Sequence, residues 1–344
     1  MNKTTKRFAT LTAIGGYVPD EVLTNEQIAQ RLDTSNEWIT TRVGIKERRL
    51  LNKEGAGSSY LGIQAVKDMM ARHKVQPEEI DLVLCSSNTP DYHFPTTASV
   101  IASECGISGV PCFDFQGACP GFVYGLQIAR GFVESGLYKK VLLVAAEKMS
   151  AITDPEDRNT YPLFGDAGAC AILEPTEEEV GIMDALIKCN FDGREHLIMP
   201  AGGSTLPPSE ETVQQRLHFV HQDGRHVFKE AVTEMGDCSV ELMERNGLTF
   251  EDIAWVVPHQ ANMRIIDATA RRMGLGLDKV MVNIDRYGNT SSVSIPLCLW
   301  EWESKLRKGD NLILTAFGAG YTWGSIYLKW GYDGDKIGQK RREE

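Results

Sequence analysis

The sequence predicts an α/β fold made of two duplicated halves, each with a mainly parallel sheet. Apolar runs of strand length alternate with helical patterns along the chain, as βαβ units require. Two strand segments recur in the second half at nearly the same separation, since residues 78–84 match 251–257 and residues 141–145 match 312–316. Two matches in register indicate a duplicated domain. We therefore expect the functional site where the carboxyl ends of strands from both halves meet.

The elements of the first half follow from local patterns. Residues 1–19 have a basic lead but are interpreted as a first strand rather than a signal peptide, because Thr and Gly interrupt their apolar part. Further strands are predicted at 80–85, 110–115 and 140–146, with helices before residue 80, from Pro95 to about residue 105, and from Pro120 to about residue 135.

The second half repeats this plan. Strands are predicted at 255–258, 280–284, 312–316 and 325–328, with a helix beginning at about residue 260 and another after residue 291. The loop-rich region 176–211 separates the halves. We therefore expect domains at 1–178 and 179–333, followed by a flexible tail at 334–344 that has almost no apolar anchor.

Composition and charge exclude several classes of protein. The 344 residues include 36 Lys+Arg and 47 Asp+Glu, giving a net charge of −11, and 42% of them are hydrophobic. This balance excludes a disordered chain and a basic nucleic-acid binder. No apolar run reaches the ~18 residues of a membrane span. We expect a cytoplasmic enzyme whose eight cysteines are reduced thiols.

Cys119 is the strongest candidate for a nucleophile. It lies between a predicted strand and a helix that begins at Pro120, so its thiol is expected at the carboxyl edge of a sheet. The positive end of a helix dipole and nearby free N–H groups favour a thiolate. A buried structural cysteine, the interpretation we give the other seven, fits the local pattern equally well.

Three further segments follow predicted strands at the same sheet edges. His259 comes directly after strand 255–258, where it can donate hydrogen bonds or act as a base, or serve only as a structural histidine. Asn289 lies in a turn of small residues, which by itself favours an ordinary turn asparagine. The Gly-rich segment 317–324 allows backbone N–H groups to approach a ligand closely, as an oxyanion hole requires.

Histidines 218, 221 and 226 raise the question of a metal site. They lie in a segment that reads partly as strand, and no cysteine or carboxylate completes a standard zinc spacing. We therefore expect no metal.

Six segments together resemble the β-ketoacyl-[acyl-carrier-protein] synthase III family of the thiolase superfamily, in the family's order and over nearly the whole chain. They are residues 33–45, 117–122, 164–169, 257–262, 288–291 and 317–324. The resemblance implies a five-layer αβαβα thiolase-like fold with two duplicated halves, usually a homodimer. It also implies condensation of a short acyl-CoA with malonyl-acyl carrier protein to initiate fatty acid synthesis, with coenzyme A thioesters as substrates and no resident cofactor.

The resemblance also implies roles for individual residues. Cys119 would carry the acyl group, His259 and Asn289 would stabilise the enolate formed by decarboxylation, and the backbone N–H groups of Cys119 and Ala319 would form an oxyanion hole. Implied coenzyme A contacts are Trp38, Arg42 and Arg158; implied acyl-pocket residues are Phe94 (from across the dimer interface), Phe164 and Leu197; implied carrier-protein contacts are Lys229, Gln260, Arg264, Arg271 and Arg272.

The charge pattern gives an independent indication of an acidic partner. In this acidic chain, Arg264, Arg271 and Arg272 fall on one face of the helix after His259, with only Asp267 as an acidic neighbour. Such a stripe beside the site suits an acidic carrier protein. An ordinary solvated helix face would show the same pattern.

Three other functions compete with this interpretation. Papain-like hydrolases use Cys, then His roughly 130–150 residues later, then Asn, which is also the order here. Within the superfamily, a starter synthase for polyketide, quinolone or head-to-head acyl condensation is the alternative. A catalytically dead scaffold is disfavoured because all three catalytic positions are filled.

Overall fold

The computed structural model describes residues 7–337, which form two main sheets with helices between and outside them. The strands are β1 (Phe8–Tyr17), β2 (Val22–Thr24), β3 (Glu47–Arg49), β4 (Leu82–Ser86), β5 (Cys112–Phe115), β6 (Val141–Lys148), β7 (Asp166–Thr176), β8 (Gly181–Cys189), β9 (Leu197–Ile198), β10 (His221–Gln222), β11 (Trp255–Pro258), β12 (Asn311–Gly318) and β13 (Thr322–Lys329). The helices are α1 (Asn25–Ala29), α2 (Asn36–Val43), α3 (Ser58–His73), α4 (Thr97–Glu104), α5 (Gly121–Glu134), α6 (Glu210–Gln214), α7 (Gly224–Arg245), α8 (Met263–Arg272), α9 (Ile284–Tyr287) and α10 (Ser294–Trp302).

The two main sheets have the same topology, which confirms the predicted duplication. The first has the strand order β1-β7-β6-β4-β5, and the second has β8-β13-β12-β11. Strands β4 and β6, which carry the repeated segments, occupy the same places as β11 and β12. A single parallel bridge between Val256 and Val280 stands where the first sheet has β5.

The prediction that the sheets are mainly parallel is wrong, because both sheets contain parallel and antiparallel pairs of strands. Strands β4, β5 and β6 pair in parallel, as do β11 and β12. The pairings β1–β7, β6–β7, β12–β13 and β8–β13 are antiparallel. Burial on both faces produces continuous apolar runs in strands of either orientation, so periodicity could not reveal the mixture.

Helices on both sides of each sheet produce five layers, which confirms the thiolase-like αβαβα fold. Helices α3 and α4 cover the outer face of the first sheet, and α7 and α8 cover the outer face of the second. Helix α5 packs against β4 and β6 of the first sheet and against β8, β12 and β13 of the second. Helix α10 joins it in the central layer, in contact with β1, β7 and β11.

The central layer explains why its two helices are so apolar. A helix that is covered on all sides must be hydrophobic around its circumference. In α10 the consecutive residues 294–299 are all buried, and α5 buries Phe122, Leu126 and Val133 in the same core. The N-terminus of α5 is therefore fixed from both sheets, which places the short segment before it, Cys119 and Pro120, at their common edge.

Two predicted elements of the second half differ from the structure. Residues 280–284 form no strand beyond the bridge at Val280, because α9 begins at Ile284. The helix after His259 begins at Met263 rather than near residue 260, since the Asn262 side chain caps it by accepting a hydrogen bond from the N–H of Arg264.

The first residues of the predicted flexible tail belong to the folded part of the chain. Residues 334–336 form a 3₁₀ turn, and the Gly334 N–H donates to the Leu306 carbonyl at 3.0 Å. Residues 338–344 of that tail lie outside the described part of the chain.

The boundary predicted between residues 178 and 179 falls in the connection between β7 and β8. Within residues 7–337, no helix combines the length and apolar character that a membrane span needs.

Candidate active site

A cavity of about 930 Å³ lies between the two halves, at the edge where the strands before Cys119 and His259 end. It is lined by residues from both halves, and Cys119, His259 and Asn289 are among them. The structure thus brings together the three residues that the sequence singled out for catalysis.

Cys119 lies between β5 and α5, where its thiol is partly accessible from the cavity. The preceding Ala118 has φ +51°, a left-handed conformation that allows the abrupt turn from strand to helix. Burial raises the pKa of the Cys119 thiol to about 12, and a hydrogen bond from the Ser291 hydroxyl acts in the opposite direction. At neutral pH the free site therefore holds a neutral thiol, because burial outweighs the effect expected from the helix N-terminus.

The end of β12 packs directly against the backbone of Cys119. A Cβ atom on Gly318 would lie 2.7 Å from the Cys119 nitrogen and 2.8 Å from Pro120 Cδ, so only glycine fits there. Ala319, the next residue, also lines the cavity. No hydrogen bond between described residues uses the backbone N–H of Cys119 or of Ala319. Two unused N–H groups beside a thiol can form an oxyanion hole.

His259 is buried and held in one orientation. Its backbone N–H donates to the Thr315 carbonyl at 2.8 Å, and its ring Nδ1 lies 2.7 Å from the Ser294 hydroxyl oxygen. Burial lowers the pKa of the imidazole to about 3, so the ring is neutral and carries a single N–H. The Ser294 contact fits either tautomer; in the one in which Ser294 donates to Nδ1, the ring proton lies on Nε2, which is then a hydrogen-bond donor.

Asn289 is held by its backbone and by its own side-chain oxygen. Its N–H donates to the Leu163 carbonyl at 2.8 Å, and its carbonyl accepts from Gly165 at 3.1 Å. The side-chain Oδ1 accepts a hydrogen bond from the Ser291 N–H at 2.8 Å. Because this fixes the amide, Nδ2 is the group left for a ligand, and it has no acceptor among the described residues.

The residues implied for coenzyme A lie together at the cavity. Trp38, Arg42 and Arg158 all line it, and the Arg158 guanidinium carbon is 5.5 Å from the centre of the Trp38 ring. Arg158 also forms an ion pair with Asp33 at 3.1 Å. A planar base held between Trp38 and Arg158 would have to separate them.

Two of the three implied acyl-pocket residues line the cavity. Phe164 is almost fully buried, and Leu197 is half-buried in β9. Phe94 is not among the lining residues, and 85% of its surface is exposed. Within one chain, therefore, Phe94 does not reach the site.

The arginine stripe is less positive than the sequence suggested. Arg271 is paired with Asp267, and Arg272 is paired with Asp237 at 2.7 Å. The exposed Arg264 is different, because it lines the cavity, packs over the Phe228 ring at 4.9 Å and has no carboxylate partner among the described residues. Lys229 is exposed and lies 4.0 Å from Glu230.

The expectation that Gln260 contacts a carrier protein is wrong. Its side chain is fully buried. Nε2 donates to the carbonyls of Pro258 and Met281, and Oε1 accepts from the N–H groups of Asn283 and Ile284. All of its hydrogen-bonding groups are used inside the fold, where they connect β11 to the start of α9.

His226, which the sequence analysis considered together with His218 and His221, lies instead beside His196 and Asp223. Possible ligand atoms of His196, Asp223 and His226 lie within 4.8 Å of one another. However, the His196 and His226 rings stack at 4.1 Å with planes only 10° apart, so their in-plane lone pairs run parallel and do not converge on one ion. Asp223 is already used to cap α7.

The sequence analysis did not predict a role for four polar residues that surround the site. Ser294 contacts His259, and Ser291 contacts Cys119. Asn88 lines the cavity and contacts both Ser291 and the buried Glu147. The sequence held one signal for this group: Glu147 lies near the end of the apolar strand β6, and a charged residue buried there needs hydrogen-bond partners inside the fold.

Comparison with known proteins gives a consistent picture. Residues 113–190 match the family described as 3-oxoacyl-[acyl-carrier-protein (ACP)] synthase III, and residues 243–330 match the C-terminal region of the same family. The chain is 56% identical to β-ketoacyl-[acyl-carrier-protein] synthase III of Porphyromonas gingivalis over 329 residues, which cover 96% of this chain and 98% of that protein.

Two further relatives extend the comparison. The chain is 53% identical to β-ketoacyl-[acyl-carrier-protein] synthase III 2 of Bacteroides thetaiotaomicron, covering 95% of this chain and 98% of that one. The crystal structure of β-ketoacyl-[acyl carrier protein] synthase III from Thermus thermophilus matches with a TM-score of 0.86 at 41% identity. That match covers 94% of this chain and 99% of the other.

The buried, neutral His259 makes stability sensitive to acid. Between its usual pKa of 6.5 and its folded value of about 3, the unfolded chain binds a proton that the folded chain does not. The free energy of unfolding should therefore fall as the pH decreases below 6.5, with His259 contributing up to ~1.4 kcal/mol per pH unit. Urea unfolding of wild type and His259→Gln between pH 7 and 5 measures this. The variant should lose less stability over that range, and equal losses would contradict the buried neutral ring.

Proposed function

The chain belongs to the 3-oxoacyl-[acyl-carrier-protein] synthase III family, and we propose that it condenses a short acyl-CoA with malonyl-acyl carrier protein to initiate fatty acid synthesis. One observation carries this proposal: a single cavity presents the Cys119 thiol, two unused backbone N–H groups and the donor groups of His259 and Asn289. Family membership also rules out the papain-like hydrolase alternative.

The first half-reaction would load the acyl group onto Cys119. The sulfur attacks the thioester carbonyl of acyl-CoA, a new C–S bond forms, and the bond to the coenzyme A sulfur breaks. The proton of the Cys119 thiol leaves with the departing coenzyme A. The N–H groups of Cys119 and Ala319 would stabilise the tetrahedral oxyanion. Both substrates arrive as activated thioesters, so we propose that no resident cofactor or metal takes part and that the enzyme works in the cytoplasm.

The second half-reaction would use the two side-chain donors. Loss of carbon dioxide from the malonyl group leaves an enolate, and His259 Nε2–H and Asn289 Nδ2–H can donate to its oxygen. A neutral imidazole suits this role, because it is a donor that keeps its proton. The enolate carbon then attacks the acyl carbonyl, the C–S bond to Cys119 breaks, and the released thiolate takes up a proton from water to restore the thiol.

Substrate binding would follow the length of the cavity. Trp38, Arg42 and Arg158 would hold the nucleotide, while Phe164 and Leu197 would line the acyl group. We propose that the remaining wall comes from Phe94 of a second copy, since this residue is exposed in its own chain, as is Tyr92 close by. Arg264, at the cavity and without a carboxylate partner, is the best-placed cation for an acidic carrier protein.

The two half-reactions can be separated by mutation. His259→Ala and Asn289→Ala should still form the acyl-enzyme but lose malonyl decarboxylation by ~10²–10³, because their donors act on the enolate. Cys119→Ser should form no acyl-enzyme, since a serine hydroxyl ionises less readily than a thiol and is a much weaker nucleophile. Intact-protein mass spectrometry after incubation with acyl-CoA measures loading, and release of carbon dioxide measures the second step. An adduct on Cys119→Ser equal to that of the wild type would refute the nucleophile.

The carrier surface can be tested with a matched pair on one helix. Arg264→Glu should raise KM for malonyl-carrier protein at least about tenfold, which corresponds to ~1.4 kcal/mol, and reduce its salt sensitivity. Arg271→Glu is the control, because Arg271 is exposed on the same helix but already paired with Asp267. Loading from acyl-CoA should change much less in both. An equal loss with malonyl-coenzyme A would point to the polyketide-type or head-to-head alternative.

The proposed homodimer can be measured directly. Equilibrium sedimentation should give twice the chain mass of 38.2 kDa. Phe94→Asp should shift that equilibrium towards the monomer and slow acyl loading, since it places a charge where an apolar wall is needed. A monomeric wild type that loads acyl groups at the full rate would contradict the shared pocket.

A further inference from the structure

A buried glutamate lies close to the nucleophile without a cation to balance it. Glu147, at the end of β6, is fully buried. Its Oε1 accepts hydrogen bonds from Asn88 Nδ2 and Ser292 Oγ, each at 2.7 Å, and its Oε2 accepts from Asn88 N–H and Thr89 Oγ, each at 3.0 Å. No ion pair to Glu147 occurs among the described residues. The mechanism above gives this carboxylate no role.

The same amide connects Glu147 to the nucleophile. Asn88 Nδ2 donates to Glu147 and also to the Ser291 hydroxyl oxygen at 3.2 Å. Ser291 in turn donates its hydroxyl to Cys119 Sγ at 3.8 Å. Glu147, Asn88 and Ser291, which come from both halves of the chain, thus form a continuous series of hydrogen-bonded groups that ends at the thiol.

The chemistry of these groups fixes the direction of every hydrogen bond. Burial raises the pKa of the Glu147 carboxyl, and its four hydrogen-bond donors act in the opposite direction by favouring the ionised form. The ionised carboxylate can only accept, so Asn88 turns its NH₂ group towards Glu147. The second hydrogen of that NH₂ then points to the Ser291 oxygen. Because the oxygen accepts there, the hydrogen of the Ser291 hydroxyl is available to the sulfur.

The backbone at Ser291 supports a functional reason for this arrangement. Ser291 has φ +52°, a left-handed conformation that non-glycine residues seldom adopt, and its N–H is held by Asn289 Oδ1. Strained positions of this kind persist where the surroundings over-determine them, and they cluster at active sites.

We propose that Ser291 is a catalytic hydrogen-bond donor to the Cys119 sulfur, and that Glu147 and Asn88 are positioning residues that direct its hydroxyl towards that sulfur. The donor stabilises negative charge on sulfur at the two points where it appears: during attack on the acyl-CoA and during release of the condensed product. The catalytic role of this donor rests on the proposed function, in which Cys119 is the nucleophile. The directions of the hydrogen bonds from Glu147 to Cys119 do not depend on any substrate.

Two effects of Glu147 on the thiol have opposite signs, which makes the proposal testable. The negative charge of Glu147, acting through space, raises the pKa of Cys119, whereas the hydrogen bond from Ser291 lowers it. If Glu147 acted through its charge alone, its neutralisation would make the thiol more reactive. If it orients Asn88 and Ser291, neutralisation frees the amide to turn, and the thiol loses its donor.

The test measures the rate at which iodoacetamide alkylates Cys119 at pH 8, followed by peptide mass spectrometry. Below the thiol pKa this rate rises with the thiolate fraction, but a thiolate of lower pKa is also a weaker nucleophile, so one pKa unit corresponds to about a threefold change. Ser291→Ala should slow alkylation about threefold, because losing a hydrogen bond to a charged group should raise the thiol pKa by at least about one unit. Ser291→Gly should behave alike, and it fits the left-handed backbone without strain.

The decisive comparison is Glu147→Gln in two backgrounds. In the wild type it should slow alkylation, because the path to Ser291 is lost. In the Ser291→Ala background it should accelerate alkylation, because only the removed charge is felt. A merely structural role for Glu147 would give the same sign in both. Faster alkylation of Glu147→Gln in both backgrounds, or a wild-type rate for Ser291→Ala, would overturn the proposal.

Two further variants separate the loss of the hydrogen-bond path from a general loss of structure. Asn88→Ala breaks the path at a half-buried residue and should slow alkylation as Ser291→Ala does, while Ser292→Ala removes a partner of Glu147 outside the path and should have a much smaller effect. Thermal unfolding checks that each variant is folded. The other titratable side chains of the cavity stay unchanged in every variant: His259, Asp223, Arg42, Arg158, Arg225 and Arg264. No substrate is present, so failure of the proposed function in acyl loading would be seen separately.

Discussion

Close packing of the central helices between the two sheets determines where each group of the site lies. At the start of α5, a Cβ atom on Gly121 would lie 2.0 Å from Ser86 Oγ of the first sheet and 3.1 Å from Ser292 Cβ of the second half. Only the smallest residue allows the halves to meet there. The same requirement recurs at Gly318, which lets β12 reach the backbone of Cys119. Small residues are thus the condition for bringing a thiol, an imidazole and an amide from three separate elements into one cavity.

Burial at this junction also fixes the protonation states. The thiol and the imidazole are both held in their neutral forms, since removal from water penalises the charged form of either group. A thiol and an imidazole that are both neutral at rest leave the hydrogen-bond donors beside them ready for charge that develops during the reaction. Donors that are already oriented need no reorganisation at that moment, which is the usual origin of large rate effects in condensation and acyl transfer.

Much of the fold and of the site could be predicted from the sequence, for identifiable reasons. The duplicated strands were visible because both copies are apolar on both faces, and Cys119 and His259 stood out because each follows such a strand. What depends on three-dimensional neighbours was not predictable. Gln260 turned inward because four backbone groups required its amide, and Arg271 was neutralised by Asp267, four residues earlier on the same helix. The partners of Glu147 come from loops more than fifty residues away along the chain.

The contact between Trp38 and Arg158 has a consequence for the order of events. A nucleotide that bound between them, as we propose, would have to separate a ring and a guanidinium that already contact one another, so its net binding energy would be the difference between two stacking arrangements. When the nucleotide leaves, the side chains close on each other again rather than on solvent. The pair would therefore favour the departure of the coenzyme A that we propose binds there.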